Sequence, residues 1–369
     1  MKKKILYLST SGCIIDYRFL SSLSKDFDVL FVQHSQRQIV DEILSLKDLK
    51  IIKKVPLIKS LPLSSELLNF KKIYNNFKPD IVHTGYVWQD GILASLLNIH
   101  PHLSMVWGSD ILVEPKKNPV IKLLVKNVMK QADHIQCDAN FVKAKIIKDY
   151  KIKDDKITVF PWGIDINLFK PLEKSKCRKK LNLPEDKFII YFNRPLSEIY
   201  GIEYLLTGIK LFLDKKDDVL LNIISDGPLF EFSEKFIIEN GLKSKIKIIG
   251  RQPNNLLPLY LNASDIYISP SLSDGTSLSL LEAMACGTGI LVSDVPAILE
   301  WVTNENGLIV KRKNTNDICK QLNFAYNNRS VMKKYGEINI NIINERANWD
   351  KNYSMLKDIY IKLLTTKNN

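Results

Sequence analysis

Short apolar runs alternate with helix-length segments along most of the chain, and this alternation restricts the possible folds more than any other feature. In the first half, the runs ILYLS, DVLFVQ, DIVHTG, LSMVWGS, HIQCDA and KITVFP predict β-strands. Strands that are apolar on both faces, with helical segments between them, are typical of a parallel sheet covered on both sides. The first half therefore predicts a doubly wound α/β domain.

The alternation stops once and then restarts. The stretch FPWGIDINLFKPLEKSKCRKKLNLPEDK holds three prolines, one glycine and a run of charges, which is typical of a linker. Beyond it, FIIYFNR, VLLNIIS, IKIIG, DIYISPS, GILVSD and GLIVK predict the strands of a second domain, and the remaining tail has helical spacing. Two such open sheets are expected to bind ligands beyond the carboxyl ends of their strands.

Composition agrees with a globular protein of two domains. The chain has 369 residues, of which 45% are hydrophobic and 25% are charged. Its five cysteines are scattered without a C-x-x-C pair, which predicts reduced thiols in a cytoplasmic protein and no structural zinc. The first apolar run, Ile5 to Leu8, is too short for a secretory signal and fits a first strand.

The net charge of +13 leaves two interpretations open. In the segment NPVIKLLVKNVMKQ, Lys122, Lys126 and Lys130 recur every four residues on one helical face. Such a basic amphipathic helix is compatible with an anionic membrane surface, and equally with an ordinary surface helix packed on a sheet. No interleaved aromatic residues or nucleic-acid module accompany the basic residues, which predicts that nucleic acid is not a partner.

The stretch SLSDGTSLSLLEAMACG, residues 271–287, predicts a turn followed by a short helix. Ser277 is a suitable N-cap, Leu278 to Cys286 have helical character, and Gly287 ends the helix. The free amide groups at such a helix start attract anions, and the helix dipole adds to the attraction.

Two carboxylates accompany this helix start. Glu282 faces the cleft between the two sheets if Leu281 and Met284 face the core, and it could then accept hydrogen bonds from the two hydroxyls of a ribose. Asp274, in the turn, would face whatever lies beyond the phosphates. The alternative is a capped strand–helix unit with two solvated acids.

The segment PSLSDGTSLSLLEAMACGTGILVSD resembles the acid-x7-acid signature of retaining family 4 glycosyltransferases, which have the GT-B fold. Four further segments resemble that family in the same order along the chain: FPWGIDINLFKP, NIISDGPLFEFSEKF, IKIIGRQPNNLLPLYLNASDIYISPS and NENGLIV. The resemblance is close in the second half of the chain and looser in the first 150 residues.

The resemblance implies an α/β protein of two Rossmann-like doubly wound domains facing a central cleft. Residues 1–170 would bind the acceptor, residues 171–345 would bind a nucleotide-sugar, and residues 346–369 would form a helix that returns to the first domain. The implied reaction moves a sugar from the nucleotide-sugar to a glycan or lipid-linked glycan with retention of configuration, in cell-surface polysaccharide, lipopolysaccharide or glycoprotein glycan biosynthesis. The implied location is cytoplasmic, peripheral at the inner membrane face, and neither a cofactor nor a metal is expected.

Family roles transfer residue by residue. Glu282 would bind the ribose hydroxyls, the backbone of Gly275 to Leu278 would contact sugar and phosphates, and Arg194 would pair with the diphosphate. The implied donor-binding set is Gly12, Arg194, Tyr200, Gly227, Arg251, Gln252, Asp274, Gly275, Thr276, Ser277, Leu278 and Glu282. The implied catalytic residues are Arg194, Asp274 and Asp110, and the acceptor-side residues are His83, Trp107 and Asp110. For His83, a histidine satisfied within the fold is the alternative.

Four positions depart from the family pattern. Asp274 stands where the family usually has Glu, which puts the sugar contact in doubt. Tyr200 stands where a Lys usually stabilises the leaving group, and a donor with a single phosphate would need less positive charge. Trp107 replaces a common His and Trp162 a common Asn; both could stack on sugars, although burial is the usual fate of Trp.

Competing functions follow from the same pattern. A nicotinamide-dependent dehydrogenase shares the sheet topology, but no G-x-G-x-x-G opens a helix here. A GT-B-type epimerase or phosphorylase would keep the two domains, and a non-catalytic sugar-nucleotide binding subunit would explain the missing Lys.

Overall fold

The computed structural model describes residues 2–35, 37–53, 62–214 and 216–366. The chain forms two compact units, Met1–Trp162 together with Asp350–Asn369, and Gly163–Trp349. Each unit is built around one parallel sheet. The prediction of two doubly wound α/β domains is confirmed.

The sheet of the first unit has seven strands in the order β3-β2-β1-β4-β5-β6-β7. The strands are β1 Lys4–Ser9, β2 Asp28–Gln33, β3 Lys50–Lys53, β4 Ile81–Thr84, β5 His102–Met105, β6 His134–Cys137 and β7 Ile157–Val159. The strand order reverses direction at β1, which pairs with β2 on one side and β4 on the other. Ligands of open parallel sheets bind beside such a reversal.

The sheet of the second unit has six strands in the order β10-β9-β8-β11-β12-β13. The strands are β8 Phe188–Phe192, β9 Val219–Ile223, β10 Ile246–Ile248, β11 Ile266–Ser269, β12 Gly289–Ser293 and β13 Leu308–Val310. Every residue of β8, β9, β11 and β12 is buried, as expected for strands covered on both faces. Here the order reverses at β8, between β9 and β11.

Helices connect the strands and cover both sheets. They are α1 Ile14–Asp26, α2 Asp41–Leu44, α3 Pro62–Phe77, α4 Gly91–Leu96, α5 Ser109–Leu112, α6 Glu114–Lys117, α7 Pro119–Gln131, α8 Asn140–Tyr150, α9 Lys174–Lys180, α10 Ile202–Phe212, α11 Phe230–Glu239, α12 Leu257–Ala263, α13 Leu278–Ala285, α14 Thr315–Asn327, α15 Arg329–Arg346 and α16 Trp349–Thr366. Within the described ranges, every helix falls short of the length or apolar character that a bilayer crossing requires.

The last helix, α16, packs in the first unit, as the sequence predicts. The Tyr360 hydroxyl lies 2.7 Å from the Nδ1 atom of His83 in β4, and the Tyr353 hydroxyl donates to Asp26 at the end of α1. Tyr360 is fully buried. These contacts fix α16 against the same core that surrounds β1 and β4.

The predicted linker, residues 160–187, is ordered over much of its length. Ile164 forms a backbone bridge with Asn348, and α9 occupies Lys174–Lys180. The buried guanidinium of Arg178 in α9 pairs with Asp265 at 2.9 Å. This part of the predicted linker therefore belongs structurally to the second unit.

Candidate functional site

Helix α13 follows β11 after a partly buried turn. Ser277 is its N-cap, and the Ser277 hydroxyl accepts a hydrogen bond from the Leu280 amide at 3.4 Å. Cys286 is the C-cap residue, and Gly287 follows in the left-handed conformation with φ of +70°. The predicted helix is thus present and ends one residue earlier than expected, because Cys286 is its cap.

Arg194 stands two residues after the end of β8, and its side chain reaches the start of α13. Its Nη2 atom donates to Asp274 Oδ2 at 2.7 Å, and its Nη1 atom donates to the hydroxyls of Ser277 at 2.8 Å and Ser279 at 3.2 Å. Only 8% of Arg194 is exposed. The reversal of strand order between β8 and β11 brings these two loops together, and a guanidinium beside free helix amides favours an anion.

Tyr200 completes the surroundings of Arg194. Its ring centre lies 4.2 Å from the guanidinium carbon, the geometry of a cation–π contact. The next residue, Gly201, has φ of +69°, and a Cβ atom there would lie 2.1 Å from the Pro270 carbonyl oxygen. Only glycine fits this close approach of two backbones. The residue that replaces the family Lys therefore holds Arg194 rather than adding a charge.

The charges in this cluster partly neutralise one another. Burial raises the pKa of Asp274, and the neighbouring Arg194 opposes that rise. For Arg194, burial lowers the pKa, but Asp274 and the rings of Tyr200 and Tyr267 outweigh burial, so that the pKa is raised. The Nε atom of Arg194 is buried and makes no hydrogen bond to the described residues. The guanidinium is thus charged, and its Nε donor is unused among the described residues.

Other predicted donor residues lie at the same edge of the second sheet. Gly227 follows β9 with φ of +155°, and a Cβ atom there would lie 2.6 Å from the backbone N and O of Leu196, two residues beyond Arg194. Arg251 follows β10, is exposed, and pairs with Asp226 at 2.6 Å. The Gln252 amide donates to the Arg251 carbonyl. Loops after four neighbouring strands therefore supply the predicted donor set in this unit.

The remaining predicted residues of this edge belong to α13 and its turn. Gly275 and Thr276 are buried, and Leu278 is half-buried. Glu282 is only 3% exposed, and its negative charge contributes, after burial, to raising the pKa of the Tyr191 phenol. Glu282 is buried because α13 is enclosed along nearly its whole length. Its predicted contact with the ribose hydroxyls stays a prediction.

In the first unit, two predicted residues follow carboxyl ends of strands. Gly12, after β1, has φ of +61°, and a Cβ atom there would lie 2.9 Å from the Gln33 side chain. Asp110, after β5, is fully buried and accepts hydrogen bonds from the Val87 and Trp107 amides. Burial raises the pKa of Asp110 to about 6, and those amides limit the rise. Asp110 therefore braces two loops rather than facing solvent.

His83 and Trp107 are placed by packing. His83 lies inside β4 with no exposed surface, between Tyr7 and Phe19, and burial lowers its pKa to about 3. The sequence leaves open the alternative that His83 is satisfied within the fold. Its burial and its contact with the Tyr360 hydroxyl favour that alternative over a contact with an acceptor. The Trp107 ring lies 5.9 Å from that of Trp162, which is 3% exposed.

Several buried polar residues are not predicted from the sequence. Asp16 and Asp90, like Asp110, have no exposed surface and a pKa raised by burial, and all three belong to the first unit. Asp16 stands three residues after Cys13, the spacing of a capping box, which is the one signal that could have identified it. In the second unit, Ser279 hydrogen-bonds both Arg194 and the Tyr267 hydroxyl without any motif to mark it.

Candidate metal ligands do not gather in the described ranges. There, no group of three or more His, Cys, Asp or Glu side chains is close enough together to hold a metal ion.

Comparison with known proteins gives consistent matches in both units. Residues 173–342 match the family model described as Glycosyl transferases group 1, and residues 4–139 match the one described as Glycosyl transferase 4-like. An uncharacterized glycosyltransferase of Methanocaldococcus jannaschii, MJ1178, is 25% identical over 322 residues, which is 85% of each chain. The Escherichia coli UDP-Gal:alpha-D-GlcNAc-diphosphoundecaprenol alpha-1,3-galactosyltransferase is 26% identical over 333 residues, 86% of this chain and 83% of the relative.

A solved structure matches over nearly the whole chain. Anabaena Alr3699/HepE in complex with UDP-glucose aligns with a TM-score of 0.83 at 15% identity, covering 97% of this chain and 99% of the other. That likeness establishes the GT-B architecture of two Rossmann-like domains. Both family models are glycosyltransferase models and together match most of the chain, so the chain is similar to glycosyltransferases in both units and has the fold of the GT-B enzymes.

Proposed function

We propose that this glycosyltransferase moves a hexosyl unit from a nucleoside diphosphate sugar to a glycan or lipid-linked glycan, with retention of anomeric configuration. One observation carries the proposal: the buried Arg194 guanidinium lies at the capped start of α13, bonded to Ser277 and Ser279. A fixed cation beside free helix amides, in a partly dry environment, is suited to a pyrophosphate. The complex of HepE with UDP-glucose supports the choice of donor.

In this proposal the protein acts mainly through electrostatics. As the bond from sugar to phosphate breaks, negative charge grows on the leaving diphosphate, and Arg194 with the first amides of α13 stabilises it. The acceptor hydroxyl attacks from the same face, and its proton passes to the departing phosphate oxygen. A donor phosphate competes with Asp274 for the guanidinium, so Asp274 becomes available to bind a sugar hydroxyl.

The acceptor and the setting are proposed from two further observations. The Escherichia coli relative is named for an acceptor linked to diphosphoundecaprenol, which supports a lipid-linked glycan here. In α7, Lys122 and Lys126 are exposed, and so are the apolar side chains of Val120, 59% exposed, and Leu123, 67% exposed. A helix with exposed lysines and exposed apolar residues suits the interface of an anionic membrane. We therefore place the reaction at the inner membrane face, in the synthesis of a cell-surface glycan.

A second candidate function rests on Tyr200. Because this residue adds no positive charge where the family has Lys, a non-catalytic sugar-nucleotide binding subunit remains the alternative. Such a subunit would bind the donor through Arg194 but would release no nucleotide in the presence of any acceptor. A GT-B-type epimerase would differ again, since it would convert the nucleotide-sugar without an acceptor.

One experiment separates these functions. The protein is incubated with UDP-, GDP- and CMP-sugars and a lipid-linked acceptor, with and without EDTA, and nucleotide release is followed by mass spectrometry. We expect acceptor-dependent release of UDP or GDP that persists in EDTA, because the cationic residues replace a metal. In Arg194→Met the rate should fall by about 10²–10³-fold, the cost of one preorganised donor.

The matched control is Arg312→Met. Arg312 belongs to an exposed ion pair with Asp294 in the same unit, so its loss should leave the rate within about twofold, since exposed pairs contribute little. Binding without release points to the subunit, and epimerisation without acceptor points to the epimerase. Release that EDTA abolishes contradicts the metal-free site.

A further inference from the structure

A cavity of about 640 Å³ lies in the first unit, at the edge of the sheet opposite to the carboxyl ends of its strands. It opens beside the residues that precede β5, β6 and β7, and its apolar part is formed by Pro101, Ala132 and Leu363. The candidate donor site belongs to the other unit, so the proposed transfer reaction does not account for this cavity.

Three lysines from separate elements line the cavity. Lys130 belongs to the last turn of α7, Lys156 ends the short turn before β7, and Lys362 belongs to α16. The ammonium group of Lys156 donates to the Lys130 carbonyl at 2.7 Å, which joins two of these elements at the cavity wall. Neither Lys130 nor Lys156 forms an ion pair with a carboxylate of the described residues. A lysine ammonium group is a common point-charge ligand of phosphate groups.

The acidic residues of the cavity offset these charges only in part. Asp133 is engaged by the His100 Nδ1 atom at 2.9 Å and by the His102 amide at 2.7 Å. Asp155 is the other carboxylate of the lining. The lining thus contains three lysines and two aspartates, and one of these aspartates also accepts two hydrogen bonds.

The pKa of His134, which also lines the cavity, reflects the electrostatic potential there. Burial and the charges of Lys362 and Lys156 together lower the pKa of His134 to about 4, although Asp155 opposes them. The ammonium of Lys156 is itself partly removed from water, and burial lowers its pKa. A positive potential inside a half-enclosed apolar wall attracts an anion more strongly than exposed lysines would.

We propose that this cavity, lined by Lys130, Lys156 and Lys362, binds a phosphate monoester at a site separate from the sugar donor. The same chemistry could be supplied by a free phosphate compound or by the headgroup of an anionic lipid such as phosphatidic acid. The apolar wall of Pro101, Ala132 and Leu363 accommodates the organic part of such a ligand.

The test uses the full chain carrying Arg194→Met, so that phosphate bound at the donor site does not contribute. Inorganic phosphate is titrated in by calorimetry at low ionic strength. In parallel, flotation measures binding to phosphatidylcholine vesicles with and without phosphatidic acid. We expect saturable binding of inorganic phosphate, of phosphatidic acid vesicles, or of both, which identifies the source of the ligand.

The variant Lys130→Gln/Lys156→Gln should weaken this binding by about tenfold or more, because two charged donors are lost. The control Lys71→Gln/Lys72→Gln removes the same charge from exposed positions of α3 in the same unit, outside the cavity, and should change affinity by less than about twofold. Lys362→Gln provides an independent variant if the double substitution impairs folding. Failure of both probes to bind saturably, or an equal loss in both double variants, overturns the proposal.

Discussion

Arg194 is held by three side chains and an aromatic ring, and this arrangement shapes the behaviour of the candidate site. Asp274 takes one end of the guanidinium, Ser277 and Ser279 take the other, and the Tyr200 ring covers it. In the proposed function the guanidinium is fixed before a donor binds, so little ordering entropy would be lost when phosphate oxygens arrive. We propose that Tyr200 compensates for the absent Lys by orienting Arg194.

This role of Tyr200 predicts a difference between two substitutions. Tyr200→Phe keeps the ring over Arg194 and should change the dissociation constant of UDP by less than about twofold. Tyr200→Leu removes the ring and should weaken UDP binding by about five- to thirtyfold, equivalent to a partly desolvated cation–π contact of about 1–2 kcal/mol. Isothermal titration calorimetry measures both. Equal affinities of the two variants would mean that the ring does not position Arg194.

Asp110 predicts a pH dependence of stability. Its pKa in the folded protein is about 6, above the ordinary value of 3.8, so the neutral form is favoured by folding. Its stabilising contribution is complete below the ordinary pKa and is lost as pH rises through about 6. The wild type should lose about 2–3 kcal/mol more than Asp110→Asn in unfolding free energy between pH 4 and pH 7.

Urea unfolding at several pH values measures this difference. Asp16 and Asp90, whose pKa values burial also raises, act in the same direction and leave some pH dependence in the variant. Asp358→Asn, an exposed substitution in the same unit, is the control and should follow the wild type. Parallel stability curves for the wild type and Asp110→Asn would contradict the account of Asp110.

Among the structural elements, the glycine that follows Tyr200 provides the clearest packing test. Gly201 and Gly241 both have positive φ, +69° and +65°, but only Gly201 lies against another backbone, at Pro270. Gly241→Ala should therefore cost about 1 kcal/mol from backbone strain alone. Gly201→Ala should cost about 3 kcal/mol or more, because the turn must also move away from Pro270. Thermal unfolding of both variants compares these costs, and similar losses would contradict the close approach.

The strands were predictable because most of them are continuous apolar runs bounded by turn residues. β3, with the sequence KIIK, was missed because half of its residues are lysines. Helix α9 was missed because KSKCRKK looks like a charged linker, yet its buried Arg178 pairs with Asp265, 87 residues away. The residues that neighbour Arg178 in the sequence do not indicate a partner so far along the chain.

The candidate site was predictable only where a motif is local. The turn and capped helix from Asp274 onward follow from neighbouring residues, whereas the pairing of Arg194 with Asp274 joins positions 80 residues apart. The burial of Glu282 and His83 likewise depends on how whole elements pack. Periodicity places such residues on a face but does not determine how completely other elements cover it.

In the molecule as a whole, the polar residues are placed in the same way in both sheets. In each unit the loops after the carboxyl ends of neighbouring strands collect the polar residues, and the order of strands reverses among them. The similarity of the chain to glycosyltransferases and its GT-B fold agree with this arrangement. The central claim is that Arg194 and the start of α13 hold the phosphates of a sugar donor.

A crystal structure of the protein soaked with UDP-glucose tests this claim most directly. The account predicts phosphate oxygens within hydrogen-bond distance of the Arg194 guanidinium and of the first amides of α13, with Asp274 no longer bonded to Arg194. Nucleotide density elsewhere in the molecule, with the bond from Arg194 to Asp274 intact, would contradict it.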